Sequence, residues 1–155
     1  MSRKGSLKVL LDTSFLLPMV GFETDREIMD VIPLLRRCEV FYSDLSILEL
    51  LWKIAKLVGS ESELEIVVRG IELVRRSFAR VGIDEKAVEI AIKLYRAGHR
   101  DLVDNLLYGV SVSQGLRFLS IDRTLRRFVV ENGFVDTFLS PRELKEMFEG
   151  VESAS

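Results

Sequence analysis

Near the start of the chain, the segment Leu7-Lys8-Val9-Leu10-Leu11 runs directly into Asp12-Thr13-Ser14. The first five residues have the short apolar pattern of a buried strand, and the next three are residue types that begin helices. A strand that turns straight into a helix is typical of a parallel α/β sheet. An acid at such a turn lies at the carboxyl edge of the sheet, where ligands bind in these folds.

The same alternation continues along the chain. Further strands are predicted at 39–42, 117–121 and 135–139, and a short apolar helix is predicted to end near Gly21. Longer helices are predicted over 24–37, 45–58, 60–81, 84–98, 101–114 and 123–132, with a last helix from Pro141. We therefore expect a three-layer α/β sandwich, in which a mainly parallel central sheet of four to five strands is flanked by helices.

Length and composition fit one folded domain. The chain has 155 residues, 48% of them hydrophobic, so residues 1–155 are expected to form a single domain with a frayed tail at about 151–155. The only cysteine, Cys38, fits a reducing compartment, and no apolar stretch reaches the roughly 18 residues of a membrane span. We expect a cytoplasmic protein with no membrane contact. A net charge of −2 argues against a protein that coats nucleic acid.

Four acids are predicted to meet at one edge of the sheet. Asp12 and Asp122 end strands, Glu49 lies within the first two turns of the helix after the second strand, and Asp104 lies in the first turn of the helix predicted at 101–114. A helix that leads into a parallel strand begins near the carboxyl edge, so residues far apart in sequence can converge there.

The surroundings of two of these acids indicate a cation site. Glu49 interrupts Ile47-Leu48-Glu49-Leu50-Leu51-Trp52, and Asp104 interrupts Leu102-Val103-Asp104-Asn105-Leu106-Leu107. Two buried carboxylates about 4 Å apart repel by roughly 4 kcal/mol at an effective dielectric near 20, and a cation between them reverses the sign. Oxygen ligands without His or Cys favour Mg²⁺ or Mn²⁺, which keep waters that can be activated to attack phosphate.

Each acid also has a purely structural interpretation. Asp12 and Asp122 can be helix N-caps. Glu49 can pair with Lys53 one turn later, and Asp104 can be a first-turn acid favoured by the helix dipole. Convergence of the side chains distinguishes these interpretations from a shared site.

Two further residues belong to the predicted site. Asp101 lies three residues before Asp104 and competes with it for the third acidic place. We prefer Asp104, because its flanks are apolar, and Asp101 then has a supporting role. Arg123 follows Asp122 directly and is predicted to contact a substrate phosphate.

Four segments resemble, in order and spacing, the motifs of the PIN-domain family, the fold of VapC-type toxin ribonucleases. The likeness extends from Leu7 to about Leu139, and the segments are Val9-Leu10-Leu11-Asp12-Thr13-Ser14, Ser46-Ile47-Leu48-Glu49-Leu50-Leu51, Asp101-Leu102-Val103-Asp104-Asn105-Leu106-Leu107 and Phe118-Leu119-Ser120-Ile121-Asp122.

The resemblance implies a metal-dependent endoribonuclease. In that family the acids at these four places bind Mg²⁺ or Mn²⁺ and activate the water that cuts RNA. The resemblance therefore implies that the metal-binding and catalytic residues are Asp12, Glu49, Asp104 and Asp122. Ser14 matches a hydroxyl position that supports the first acid. The resemblance also implies a small antitoxin partner and a homodimer formed through apolar helix faces.

Two other functions stay open at this point. The first is a catalytically silent module that uses the same fold to bind a partner. The second is an α/β phosphohydrolase with Asp12 as its nucleophile. The haloacid-dehalogenase type of phosphohydrolase needs a second Asp two residues later, where this chain has Ser14.

Overall fold

A parallel sheet forms the centre of the molecule. The computed structural model describes the backbone of residues 5–153 and the side chains of residues 5–150. Within that range the sheet has five strands in the order β3-β2-β1-β4-β5, and every neighbouring pair is parallel. The strands are β1 (Lys8–Leu11), β2 (Glu39–Tyr42), β3 (Ala79–Arg80), β4 (Arg117–Leu119) and β5 (Phe138–Leu139).

Helices connect the strands and begin at capping residues. Asp84 and Asp101 each accept a hydrogen bond from a backbone N–H in the first turn of their helices, as does Ser60. The helices are α1 (Arg26–Val31), α2 (Asp44–Ile54), α3 (Glu61–Ser77), α4 (Glu85–Ala97), α5 (Leu102–Gln114), α6 (Arg123–Glu131) and α7 (Pro141–Ser153). Short 3-10 helices lie at Thr13–Leu16, Pro18–Val20, Ile32–Arg37 and Ala55–Leu57.

The central strand β1 contributes to a core on each face of the sheet. Val9 and Leu11 lie in one core, with side chains from α1, α2, α3 and α7. Leu10 lies in the other core, with side chains from α4, α5 and α6. All three residues are fully buried, as expected for a strand covered on both faces. The predicted three-layer α/β sandwich is therefore confirmed.

The helix predicted over 60–81 is longer than the helix in the structure. Helix α3 ends at Ser77, and Ala79–Arg80 then forms β3 beside β2, where the N–H of Val81 donates to the carbonyl of Tyr42. A two-residue strand is too short to show the alternation that marks a strand in sequence. Its place is fixed by the backbone hydrogen bonds to β2.

The helix predicted over 24–37 is divided in two. Helix α1 ends at Val31, and Ile32–Arg37 continues as a 3-10 helix. Pro33 lacks a backbone N–H, so it cannot extend α1 through a hydrogen bond of its own. At the other end of the chain, α7 continues to Ser153, and the rest of the predicted frayed tail lies outside the described residues.

The part of the chain that the structure describes contains no helix with the length and apolar character needed to cross a membrane.

The close approach of α4 and α5 predicts a strong effect of substitution at Gly109. A Cβ atom there would lie 2.7 Å from the carbonyl oxygen and 3.0 Å from the Cα of Ala87, both backbone atoms. We expect Gly109→Ala to lower the free energy of unfolding by about 1–3 kcal/mol, measured by chemical denaturation. The control is Gly150→Ala, also in a helix, where no atom lies within 4 Å of the added Cβ. Equal stability of the two variants would contradict the close packing.

Candidate metal centre

Asp12 lies at the end of β1 and is held by three hydrogen bonds, one of its backbone and two of its carboxylate. Its backbone N–H donates to the carbonyl of Leu119, so the pairing of β1 with β4 continues to this residue. The carboxylate accepts from the N–H of Thr13 through Oδ1 and from the hydroxyl of Ser120 through Oδ2, both at 2.7 Å. Only 9% of Asp12 is exposed. The carboxylate is therefore fixed in orientation at the middle of the carboxyl edge.

Helix α2 brings Glu49 to the same place. The helix begins directly after β2, where the hydroxyl of Ser43 accepts from the N–H of Leu45. The side chain of Glu49 is 16% exposed and lies 3.8 Å from the ammonium of Lys53, which is 50% exposed. The pairing of Glu49 with Lys53 is thus present, although Glu49 is largely buried and Lys53 is not.

Asp104 reaches the edge from the first turn of α5. Its backbone N–H donates to the carboxylate of Asp101, the N-cap of the helix. The next residue, Asn105, is fully buried, and its amide donates to the carbonyl of His99 at 2.7 Å. The Oδ1 of Asn105 also lies 2.6 Å from the Nδ1 of His99. These contacts fix the loop before α5, and they therefore fix the position of Asp104 at the carboxyl edge of the sheet.

The three carboxylates form one cluster. Asp12, Glu49 and Asp104 each offer an oxygen, and these oxygens lie within 4.8 Å of one another. Burial, followed by the charges of Asp12, Asp101 and Glu49, raises the pKa of Asp104 to about 8. Burial also raises the pKa of Asp12 to about 6, although its hydrogen bond from Ser120 acts in the opposite direction. Without a cation, the site therefore holds protons that isolated carboxylates would release.

The donor set fits a divalent cation. The three acids are hard oxygen ligands, which suit Mg²⁺, Mn²⁺ or Ca²⁺ better than Zn²⁺. Burial is the main cause of these raised pKa values and repulsion adds to it, and the charge of a bound ion would act against both by stabilising the ionised carboxylates. The chemistry of the donors and their spacing thus support a cation site built from Asp12, Glu49 and Asp104.

The fourth predicted acid occupies a different position. Asp122 lies outside the group of three in the described part of the chain, and its Oδ1 accepts from the N–H of Leu125 as the N-cap of α6. Asp101 is exposed and caps α5, so Asp104 is the acid that joins the cluster. Ser14 is partly buried, and the hydroxyl that contacts Asp12 belongs to Ser120 instead.

Arg123 lies at the neighbouring part of the same edge. It lines a cavity of about 240 Å³ at the ends of β4 and β5, together with Ser120, Asp122 and Arg126. Arg126 is engaged by ion pairs to the carboxylates of Asp136 and Glu143. Arg123 is exposed, so its guanidinium is accessible to an anion that enters this cavity.

Sequence reasoning missed two residues of the centre. Ser120 directs the carboxylate of Asp12, and Lys53 lowers the pKa of Asp12 through its charge. A small hydroxyl residue immediately after a strand that neighbours β1 is the signal for Ser120. For Lys53 the sequence indicated only an ion pair with Glu49 one helical turn earlier, and not a contact with the charge of Asp12.

Comparisons with known proteins place the fold. A family model described as PIN domain matches residues 9–130. No curated protein matches the chain.

Solved structures share the fold at low sequence identity. A toxin-antitoxin complex from Klebsiella pneumoniae is 14% identical with a TM-score of 0.59, covering 86% of this chain and 97% of that one. A DNA-bound VapBC from Salmonella typhimurium is 17% identical with a TM-score of 0.60, covering 87% and 98%. VapC20 from Mycobacterium tuberculosis, described as a Sarcin-Ricin loop cleaving toxin, is 18% identical with a TM-score of 0.56, covering 83% and 97%.

The raised pKa values predict how stability depends on pH. A carboxyl whose pKa is higher in the folded state binds its proton more tightly there. Its contribution to the free energy of unfolding is therefore fully present at low pH and is lost as the pH rises. For Asp12 and Asp104 this loss spans the interval from about 4, their ordinary value, to about 6 and about 8. We therefore expect the melting temperature of the metal-free protein, in EDTA, to fall between pH 5 and pH 8 through these two groups.

Asp104→Asn tests the origin of that slope. The amide carries no charge, so the variant should melt at a higher temperature than the wild type at pH 8.5 and show a weaker dependence above pH 6. The control is Asp30→Asn on the exposed face of α1. Identical slopes in the wild type and in Asp104→Asn would contradict the raised pKa of Asp104.

Proposed function

Because this chain belongs to the PIN domain family, we propose that it is an endoribonuclease that hydrolyses phosphodiester bonds of RNA with Mg²⁺ or Mn²⁺ in the cytoplasm. The observation that carries the proposal is the convergence of three carboxylates within 4.8 Å at the carboxyl edge of the sheet. A scaffold that only binds a partner gains nothing from this repulsion. The cluster therefore supports a catalytic role over that of a silent interaction module.

The acids have distinct places in the proposed site. Asp12, Glu49 and Asp104 would hold the cation, and Ser120 would keep the carboxylate of Asp12 turned towards it. We propose Asp122 as a fourth, more distant acid, two residues after Ser120. A bound Mg²⁺ or Mn²⁺ supplies activation of water and neutralisation of phosphate charge.

The proposed contact with the RNA backbone is made by Arg123. Its exposed guanidinium lies at the mouth of the cavity that Ser120 also lines, and Ser120 in turn contacts Asp12. Guanidinium groups bind phosphate through two parallel hydrogen bonds, which fixes orientation as well as adding affinity. Arg123 would therefore position a phosphate beside the acid cluster.

We also propose that the protein is the toxin of a toxin–antitoxin pair. One solved structure with the same fold is a toxin-antitoxin complex, and another is a member of the VapBC family of toxin-antitoxin systems. In this chain an apolar groove of about 520 Å³ lies between α2 and α3, lined by residues such as Leu51 and Leu64. This groove is the proposed site for a small antitoxin. Failure of Leu64→Glu to weaken a complex with the product of an adjacent gene would contradict this placement.

A homodimer is proposed through the exposed face of α4. Val88, Ile92 and Tyr95 follow one another at helical spacing and are each at least 40% exposed, and Leu102 lies nearby in sequence with 47% exposure. Such a stripe has the apolar character of a subunit interface. Sedimentation equilibrium tests the proposal, and a monomer alone at micromolar concentration would contradict it.

The direct test of the activity is cleavage of RNA by the wild type and by Glu49→Gln. A mixed-sequence single strand and a hairpin RNA are incubated with Mn²⁺, with EDTA as the metal-free reference. Loss of a cation removes several kcal/mol of transition-state stabilisation, so Glu49→Gln should cleave at least about a hundredfold more slowly.

The matched control is Glu65→Gln. Glu65 forms an ion pair with Arg69 one turn later, as Glu49 does with Lys53, but it lies exposed on α3. Its loss should leave cleavage unchanged. If neither RNA is cut by the wild type, the proposed activity is wrong; if Glu49→Gln cuts as fast as Glu65→Gln, the acid cluster is not its source.

A further inference from the structure

A second cavity lies on the other side of the acid cluster from Arg123. The residues that follow β2 and β3 line it, so it opens at the same carboxyl edge of the sheet. Its volume is about 480 Å³, within the usual range for small-ligand sites. Neighbouring strands lie about 5 Å apart, which places the end of β3 about 10 Å from the end of β1 and its Asp12. The cavity thus lies about 10 Å from the cluster, close enough for one short RNA strand to reach both.

Helix α2 joins the cavity to the cluster. Leu45 and Leu48 line the cavity, and Glu49 follows on the same helix. Leu45 and Glu49 are four residues apart, so they lie on one face with a rise of about 6 Å between them. A ligand that touches Leu45 is therefore one helical turn from a carboxylate of the cluster.

The lining fits a flat apolar group with a charged attachment. Leu48 and Ile83 are each 44% exposed and form apolar walls. Arg80 lies at the rim in an ion pair with Asp44, and both side chains are about two-thirds exposed. Such a surface pair contributes little free energy, so the guanidinium is available to stack on a ring or to meet a phosphate. Unpaired RNA bases stack on aromatic side chains or on Arg guanidinium planes, and in this cavity Arg80 is the group that can stack.

We propose that this cavity seats one unpaired base of the RNA strand whose scissile phosphate lies at Asp12, Glu49 and Asp104. This inference rests on the proposed ribonuclease function and adds to it a site for one base beside the scissile phosphate. The base lies against Leu45, Leu48 and Ile83, and Arg80 covers its outer side.

Gly82 offers a way to fill the cavity. It lines the cavity, its φ is not in the left-handed region, and a Cβ there would meet no atom within 4 Å. Gly82→Leu should therefore fold normally while occupying the space of the base. The matched control is Gly59→Leu, which adds the same side chain in the groove between α2 and α3, where a Cβ likewise meets nothing within 4 Å.

The measurement is fluorescence anisotropy of a labelled ten-nucleotide single-stranded RNA of mixed sequence. It is made with the Asp104→Asn protein in EDTA, which prevents metal-dependent cleavage and lowers the repulsion of phosphate. Stacking of one base is worth enough for about a tenfold change in affinity, so adding Gly82→Leu should weaken binding about tenfold and adding Gly59→Leu should not. A second pair of variants, Ile83→Ala and Leu64→Ala, should differ in the same direction.

A strand of the same length without bases identifies what the cavity holds. The parent protein should bind the abasic strand about tenfold more weakly than the intact one, and Gly82→Leu should cause no further loss. If Gly82→Leu weakened binding of the intact and the abasic strand equally, base binding would be contradicted. The cavity would then contact a phosphate, or the substitution would disturb the protein itself. Unchanged affinity in Gly82→Leu and Ile83→Ala, or no binding of the intact strand by the parent, would also overturn the inference.

The cleavage assay separates this inference from the function on which it rests. If the wild type cuts RNA with Mn²⁺ and Gly82→Leu cuts with the same KM, the base cavity is wrong and the nuclease stands. If the wild type cuts nothing, the nuclease is wrong whatever the binding result.

Discussion

The burial of three carboxylates side by side, those of Asp12, Glu49 and Asp104, is the constraint on which the site depends, and their mutual repulsion adds to its cost. Two unit negative charges about 5 Å apart repel by about 3 kcal/mol at an effective dielectric near 20. The sheet supplies the opposing rigidity, because Asp12 continues the pairing of β1 with β4 and its carboxylate is bonded to Ser120. The caps and loops at the starts of α2 and α5 hold Glu49 and Asp104 in place beside Asp12. A fold that holds such a cluster together is arranged for a cation.

The order of the strands places a cavity on each side of the acids, which suits the proposed path of an RNA strand. Strand β1 lies in the middle, so the cavity after β2 and β3 and the cavity beside Arg123 flank the cluster on opposite sides. An extended strand along this edge would place a base on one side and a phosphate on the other. The net charge of −2 is compatible with this proposed path, because the positive side chains that would meet the strand, Arg80 and Arg123, lie at the two cavities themselves.

Much of the fold follows from local sequence, since the apolar run before Asp12 and the caps Asp84 and Asp101 are features of neighbouring residues. The two-residue strand β3 was missed because its place depends on hydrogen bonds to β2. At the site, the apolar flanks of Glu49 and Asp104 indicated a shared cluster, and the structure brings both carboxylates beside Asp12. The contact of Ser120 with Asp12 joins residues 108 positions apart, so it depends on the strand order and not on any local pattern.

The central claim is that the three acids form one cation site, and titration calorimetry with Mn²⁺ at pH 7 tests it most directly, in buffers of different ionisation enthalpy. Since the pKa of Asp104 is about 8, the ion must displace a proton. The account predicts saturable binding with proton release to the buffer, and loss of both in Asp104→Asn. Absence of binding in the wild type, or binding of the same affinity and proton count in Asp104→Asn, would contradict it.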